Sequence, residues 1–302
     1  MKRMKPWLSA LLVVIAPPVL LFLSNWGYSS VTIYRSLHFA AWPQQLFTMC
    51  VYTALGIVLG FLMSRFTRRE QRRLGLVSFT GGLLLLVAFG VLYALYRRES
   101  VTFPTWIRNI FAMFDLREMY FWGGVYLLQI IRRTQTGGKV RLQPAGEAAA
   151  SLPYGSRGNT AAMLCVILLP ALLLLVSAYA LSVSAAQAQN NFITNIHYFL
   201  LHIPYWNIVF YSLLGVLFGA VPWLCRAEEK RLRCAVAVTF GLAGVMMVGM
   251  LHSVVYADTT SLLAFLTYLN LKEVFLWVGL YLYLMASLLR QGYREKNQNS
   301  GE

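Results

Sequence analysis

The sequence predicts an all-α polytopic membrane protein with eight transmembrane helices, arranged as two parallel four-helix repeats. Three observations lead there. Eight long apolar runs divide the chain, two blocks of residues recur in its second half, and positive charge is concentrated in alternate loops.

The 302 residues are 58% hydrophobic and only 12% charged, about half the charged fraction of soluble domains, which is roughly 25%. A helix needs roughly 20 consecutive apolar residues to span a bilayer. Runs that meet or approach this lie at about 7–24, 45–63, 75–96, 119–131, 161–181, 206–224, 234–256 and 274–289. The fourth is short, and the aromatic residue Phe114 ahead of it extends it. The runs are continuous, not alternating, and too long, which speaks against the strands of a membrane barrel.

The repeat is read residue by residue. Ser36-Leu37-His38-Phe39 returns 159 positions later as Asn195-Ile196-His197-Tyr198. At the same offset Tyr52, Leu55, Gly56 and Gly60 return as Tyr211, Leu214, Gly215 and Gly219. Leu116-Arg117-Glu118-x-Tyr120-x-Trp122-x-Gly124-x-Tyr126 returns as Leu271-Lys272-Glu273-x-Phe275-x-Trp277-x-Gly279-x-Tyr281, now at an offset of 155. The first copy therefore carries four extra residues between the blocks, most simply in a loop. Residues 30–132 are expected to superpose on 189–287. Four spans per copy is an even number, so both copies keep one orientation and are related by an axis along the membrane normal. This is the parallel type of repeat.

Net charge is +15. Its distribution speaks against nucleic acid as a partner. With the N-terminus inside, 20 of the 26 Lys and Arg residues fall on the inner side, and only Arg35, Arg97, Arg98, Arg108, Arg117 and Lys272 fall outside. This is the positive-inside bias that orients membrane proteins. It predicts a multi-pass membrane protein with both termini cytoplasmic.

Taken in order, the first run follows a basic start but has no A-x-A-like end, so it is read as a span and not a signal peptide. It carries Pro17-Pro18, and its counterpart in the second copy carries Pro170, positions that remove a backbone donor and kink a helix. Polar and aromatic outer segments follow at 28–47 and 182–206, and are expected to form short helices in the outer headgroup layer. A Gly-x-x-x-Gly span returns inward in each copy, allowing close helix approach. A third span, a second outer segment (97–114 or 258–269) and the Trp-x-Gly-x-Tyr span complete each unit. The resulting division is 1–135 for the first membrane repeat, 136–159 for a cytoplasmic linker, 160–291 for the second repeat and 292–302 for a cytoplasmic tail.

The candidate ligand-binding residues are few: Glu118, Glu273, Asp115, His38 and His197. Glu118 and Glu273 stand where a span begins on the outer side. An acid there favours the helix dipole, and an ionisable group at membrane depth tends to be functional. Arg117 and Lys272 each precede one of the acids by one residue, so they do not share its helix face. Asp115 lies three residues before Glu118 and can share its face. Asn270 takes that place in the second copy. His38 and His197 are matched, but a metal site needs three or four convergent ligands, and none is expected. No cofactor is expected, and no nucleophile motif, phosphate loop or catalytic pair of acids is evident. Cys225 and Cys234 flank a short cytoplasmic loop where thiols stay reduced.

The plan resembles the VanZ-like family of bacterial membrane proteins, here as tandem, degenerate copies. The resemblance rests on Asn191-Phe192-Ile193, on Asn207-Ile208-Val209-Phe210-Tyr211-Ser212-Leu213-Leu214-Gly215, and on Phe114-Asp115-Leu116-Arg117-Glu118. Asn207, Gly215, Asp115 and Glu118 are the matched positions. Ala54 and Leu213 stand where the family has a proline, and Trp122 and Trp277 where it has an asparagine. The resemblance implies a role in envelope phenotypes and glycopeptide-antibiotic tolerance, without a defined reaction.

These readings converge on a non-enzymatic envelope protein. It would bind a lipid or an amphipathic, lipid-linked envelope ligand from the outer side. Two other functions fit the same residues: a transporter or permease subunit with a path between the copies, and a membrane-embedded enzyme acting on a lipid-linked substrate.

Overall fold

The computed structural model describes residues 6–38, 42–65, 72–97, 103–105, 108, 116–138, 158–191, 196–225, 231–257, 265–266 and 269–299. They form eight helices: α1 (Pro6–His38), α2 (Trp42–Arg65), α3 (Arg72–Arg97), α4 (Leu116–Gly138), α5 (Gly158–Asn191), α6 (Ile196–Leu224), α7 (Arg231–Ala257) and α8 (Leu271–Asn299). The fold is all-helical. The short 3₁₀ turn at residues 265–266 is the main irregular piece among the described residues.

Three helices are long and apolar enough to cross a membrane, over Pro43–Leu62 in α2, Arg233–Ser253 in α7 and Leu271–Arg290 in α8. Shorter apolar stretches run through α3 (Leu76–Leu92), α5 (Ile167–Val183) and α6 (Ile208–Pro222). Large apolar side chains are exposed on every helix, among them Leu23, Ile57, Val77, Leu127, Leu172, Leu213, Met247 and Leu289.

The helices outrun the apolar runs that predict them. Residues 28–38 continue α1, residues 182–191 continue α5 and residues 196–206 continue into α6, so these parts of the outer segments are not separate helices. The hydroxyls of the α1 extension explain how a polar stretch stays helical. Ser30 donates to Trp26 O at 3.1 Å, Thr32 to Tyr28 O at 2.8 Å and Ser36 to Ile33 O at 2.7 Å. Each satisfies itself within the turn it belongs to, and extending a formed helix costs little compared with starting a new one. The helices also run on through Pro17-Pro18 and Pro170.

Four helices are central. α2 lies along α8 and α4 along α6, and these are the two most extensive helix pairs. α1 and α3 flank the first half, and α5 and α7 flank the second. α1 meets α2 and α3 as α5 meets α6 and α7, and α3 meets α4 as α7 meets α8. The second helix of each half of the chain is thus partnered by the last helix of the other half.

Glycines allow these crossings. A Cβ added to Gly56 would collide with the backbone of Leu276 and lie 2.9 Å from Gly279 Cα. A Cβ on Gly279 would collide with the carbonyl of Thr53 and lie 2.8 Å from Gly56 Cα. The same holds at the matched residues: Gly215 faces the Phe121 carbonyl and Gly124 faces that of Ser212. Without side chains the helices approach backbone to backbone, the geometry small residues permit in membranes.

Aromatic side chains fill the centre. Trp122 and Trp277 are both buried, with Phe218 between them at ring distances of 6.3 and 5.2 Å. Tyr126 and Tyr281 stand one turn further along α4 and α8, 6.2 and 5.6 Å from their tryptophans. The Tyr281 hydroxyl donates to Ile167 O at 2.7 Å, tying α8 to α5 beside Pro170. Gly241 makes room for that contact, since a Cβ there would meet Ile167 Cγ2 at 2.6 Å.

Candidate functional site

Several buried polar residues gather where α4 and α8 begin. Asn25, on α1, is buried. Its Nδ2 donates to Glu118 Oε2 at 2.7 Å, and its Oδ1 accepts from the Tyr52 hydroxyl at 2.7 Å and from Lys272 Nζ at 2.9 Å. Both lone pairs of the amide oxygen are therefore engaged. The opposite orientation of the amide would set its NH₂ against an ammonium and a phenol O–H, so these donors fix the side chain in this sense.

Asn25 bridges an acid of the first half of the chain and a base of the second. The Lys272 ammonium also lies over two ring faces, 4.3 Å from the centroid of Tyr28 and 5.8 Å from that of Tyr52. Gln44 Nε2 donates to the Tyr28 hydroxyl and holds that ring in place. Hydrogen bonds to charged groups contribute about 1.5–3 kcal/mol each, and a partly desolvated cation over a ring contributes about 0.5–2 kcal/mol. Together these contacts join α1, α2, α4 and α8 at one level of the molecule.

Glu273 has different surroundings from its counterpart. It is buried, and its Oε1 accepts from Asn270 Nδ2 at 2.9 Å. Asn270 in turn caps α8, its Oδ1 accepting from the Lys272 backbone N–H at 3.2 Å and its carbonyl from the Glu273 N–H at 3.1 Å. This is a capping arrangement with an acid three residues after the cap. Glu273 closes its own helix end, whereas Glu118 reaches across to α1.

The cations keep their match where the acids diverge. Arg117 lies over the Tyr211 ring at 5.9 Å, as Lys272 lies over Tyr52. In both cases the base at the start of one half's last helix covers a tyrosine on the other half's second helix.

Of the expected site residues, Glu118 and Glu273 are placed at these two helix starts. Asp115 lies outside the described residues. His38 and His197 fall in α1 and α6, with side chains outside those described. No group of three or more potential metal ligands occurs among the described residues. His252, on α7, is buried and its Nδ1 donates to Leu266 O at 2.7 Å, fixing the 3₁₀ turn ahead of α8. Cys225 and Cys234 are buried thiols at the loop ends of α6 and α7.

Sequence reasoning missed Asn25 and Gln44 as members of a site, and took Lys272 as an outer-side cation and as the neighbour of Glu273, not as part of a site. One signal was available. Asn25 is an amide inside an otherwise apolar helix, and such a group needs partners once water is excluded.

Fold and site define an all-helical protein with membrane-length apolar helices and a buried polar nest built across its two halves. No family of proteins, no curated protein and no solved structure matches the chain.

Proposed function

We propose that the protein is a non-enzymatic, multi-pass protein of a bacterial cell membrane that binds a lipid or amphipathic envelope ligand from the outer side. On this reading all eight helices span the bilayer as two parallel four-helix repeats, and both termini are cytoplasmic. The positive-inside bias supports the orientation. Exposed Leu, Val, Ile and Met on all eight helices support immersion, because a soluble monomer seldom exposes apolar surface on this scale. The matched glycine contacts support the repeat. The VanZ-like resemblance at Asn207, Gly215, Asp115 and Glu118 fits an envelope role.

The observation that carries the ligand reading is the nest around Asn25. Its acid and its base come from different copies, and Tyr28 and Lys272 are only partly buried. A site of this form is apolar-walled with a few convergent polar groups, as ligand sites usually are. Glu118 and Lys272 supply its ionisable groups, and the expected set of Glu273, Asp115, His38 and His197 remains part of the proposal.

The test is a bacterial strain in which Glu118→Gln or Glu273→Gln replaces the native residue. An envelope-stress or antibiotic-tolerance phenotype should weaken while the amount of protein in the membrane stays constant. A matching drop in abundance would assign the acids to folding alone. Substrate flux through the reconstituted protein, without a phenotype, would favour transport instead.

A further inference from the structure

Among the described residues the nest is seen once, while the helix contacts recur in both halves of the molecule. Aligning Pro17 with Pro170 sets Ser24 opposite Ser177, and both are buried and donate to carbonyls of their own helix. The same alignment sets Asn25 opposite Ala178 and Tyr28 opposite Leu181, both buried. Gln44 is matched by Ile203 at the 159 offset. Tyr52, Lys272 and Glu118 have equivalents in Tyr211, Arg117 and Glu273. The symmetric scaffold is thus kept in both halves, while the amide and the ring that enclose the ammonium are present in one.

Each group around Lys272 Nζ suits a cation: the faces of Tyr28 and Tyr52, the Oδ1 of Asn25, and the Glu118 carboxylate held behind that amide. Ring faces with acceptor oxygens are how proteins recognise ammonium ligands. Asn25 and Tyr52 form a buried floor, and Tyr28 and Lys272 form a partly exposed rim. The lysine side chain is a long flexible stem that can withdraw without moving the backbone.

Resting on the ligand-binding reading above, we propose that this nest receives the ammonium group of a zwitterionic lipid headgroup of the ethanolamine type, and that Lys272 is its resident occupant in the absence of ligand. The exchange keeps charge balanced. The incoming ammonium takes the ring faces and Asn25 Oδ1, and the displaced Lys272 pairs with the headgroup phosphate. The second half, with Ala178 and Leu181, has no such site.

The experiment uses the full-length protein in nanodiscs of phosphatidylethanolamine or of phosphatidylglycerol. Native mass spectrometry reads the lipid retained, and an amine-reactive reagent reads the exposure of Lys272. The wild type should retain phosphatidylethanolamine in preference and show higher Lys272 labelling in that lipid. Lys272→Met should raise its retention about tenfold, the scale of one desolvated cation–ring contact. Tyr28→Leu and Asn25→Ala should abolish the preference, and Arg117→Met, at the matched position, should leave it unchanged. Labelling of the wild type keeps the test valid if a variant fails to fold. Competition by glycerophosphoethanolamine at equal concentration would assign the nest to a soluble amine carrying the same group. Equal retention of both lipids with unchanged Lys272 labelling would overturn the ammonium assignment and leave lipid binding standing. Retention of neither lipid by any variant would overturn both.

Discussion

Gly56 and Gly279 meet backbone to backbone, so close that a Cβ on Gly279 would lie 2.8 Å from the Cα of Gly56. The two residues belong to different halves of the chain, and in the α4–α6 pair Gly215 and Gly124 stand against the carbonyls of Phe121 and Ser212. Neither half of the chain closes on itself at these crossings.

Substitution at either contact should therefore harm both halves alike. Gly279→Ala must separate α2 from α8 or strain them, an overpacking that typically costs about 1–3 kcal/mol. Gly124→Ala should cost a similar amount through α4 and α6. Thermal unfolding in detergent checks this. Wild-type melting behaviour in either variant would show that the helices are not held at this distance.

The crossed pairing also predicts the result of cutting the chain. A protease site placed within residues 139–157, cleaved after folding, should leave the two fragments together on gel filtration in mild detergent. Two separate peaks would mean that α2–α8 and α4–α6 contribute little to cohesion.

Asn25 should matter more for stability than the charge it bridges. Asn25→Ala removes the donor to Glu118 and the acceptor of Tyr52 and Lys272, and should cost about 1–3 kcal/mol. Glu118→Gln keeps an oxygen for the Asn25 Nδ2 donor and should cost less. If Glu118→Gln proved the more damaging of the two in the same melting assay, the role of the amide as the centre of the nest would be wrong.

The orientation proposal has its own check. A single cysteine introduced within residues 139–157 should resist a membrane-impermeant maleimide in intact cells and react after lysis. Labelling in intact cells would reverse the assignment of the basic loops.

The all-helical class could be read from the sequence, for physical reasons that are local. Apolar run length gives helices, because a continuous apolar stretch must satisfy its backbone internally. The repeated Gly and Trp-x-Gly-x-Tyr blocks marked the helices that form the centre. Helix ends were less legible. The extension of α1 to His38 depends on Ser30, Thr32 and Ser36 bonding back to their own helix, and hydropathy does not register this.

The candidate site divides in the same way. Glu118 and Glu273 could be picked out because an acid at the start of an apolar helix is conspicuous. Their unequal roles could not. By itself the sequence determined the helical class, the pairs of matched residues and the excess of positive charge in alternate loops, since these follow from composition and spacing along the chain. Only the tertiary structure decided that α2 pairs with α8 and α4 with α6, and that Asn25 joins Glu118 to Lys272. Those contacts join residues 93 and 247 positions apart. They depend on which helix faces meet, and a crossing at Gly56 and Gly279 is set by the shapes of two surfaces that no local stretch of sequence contains.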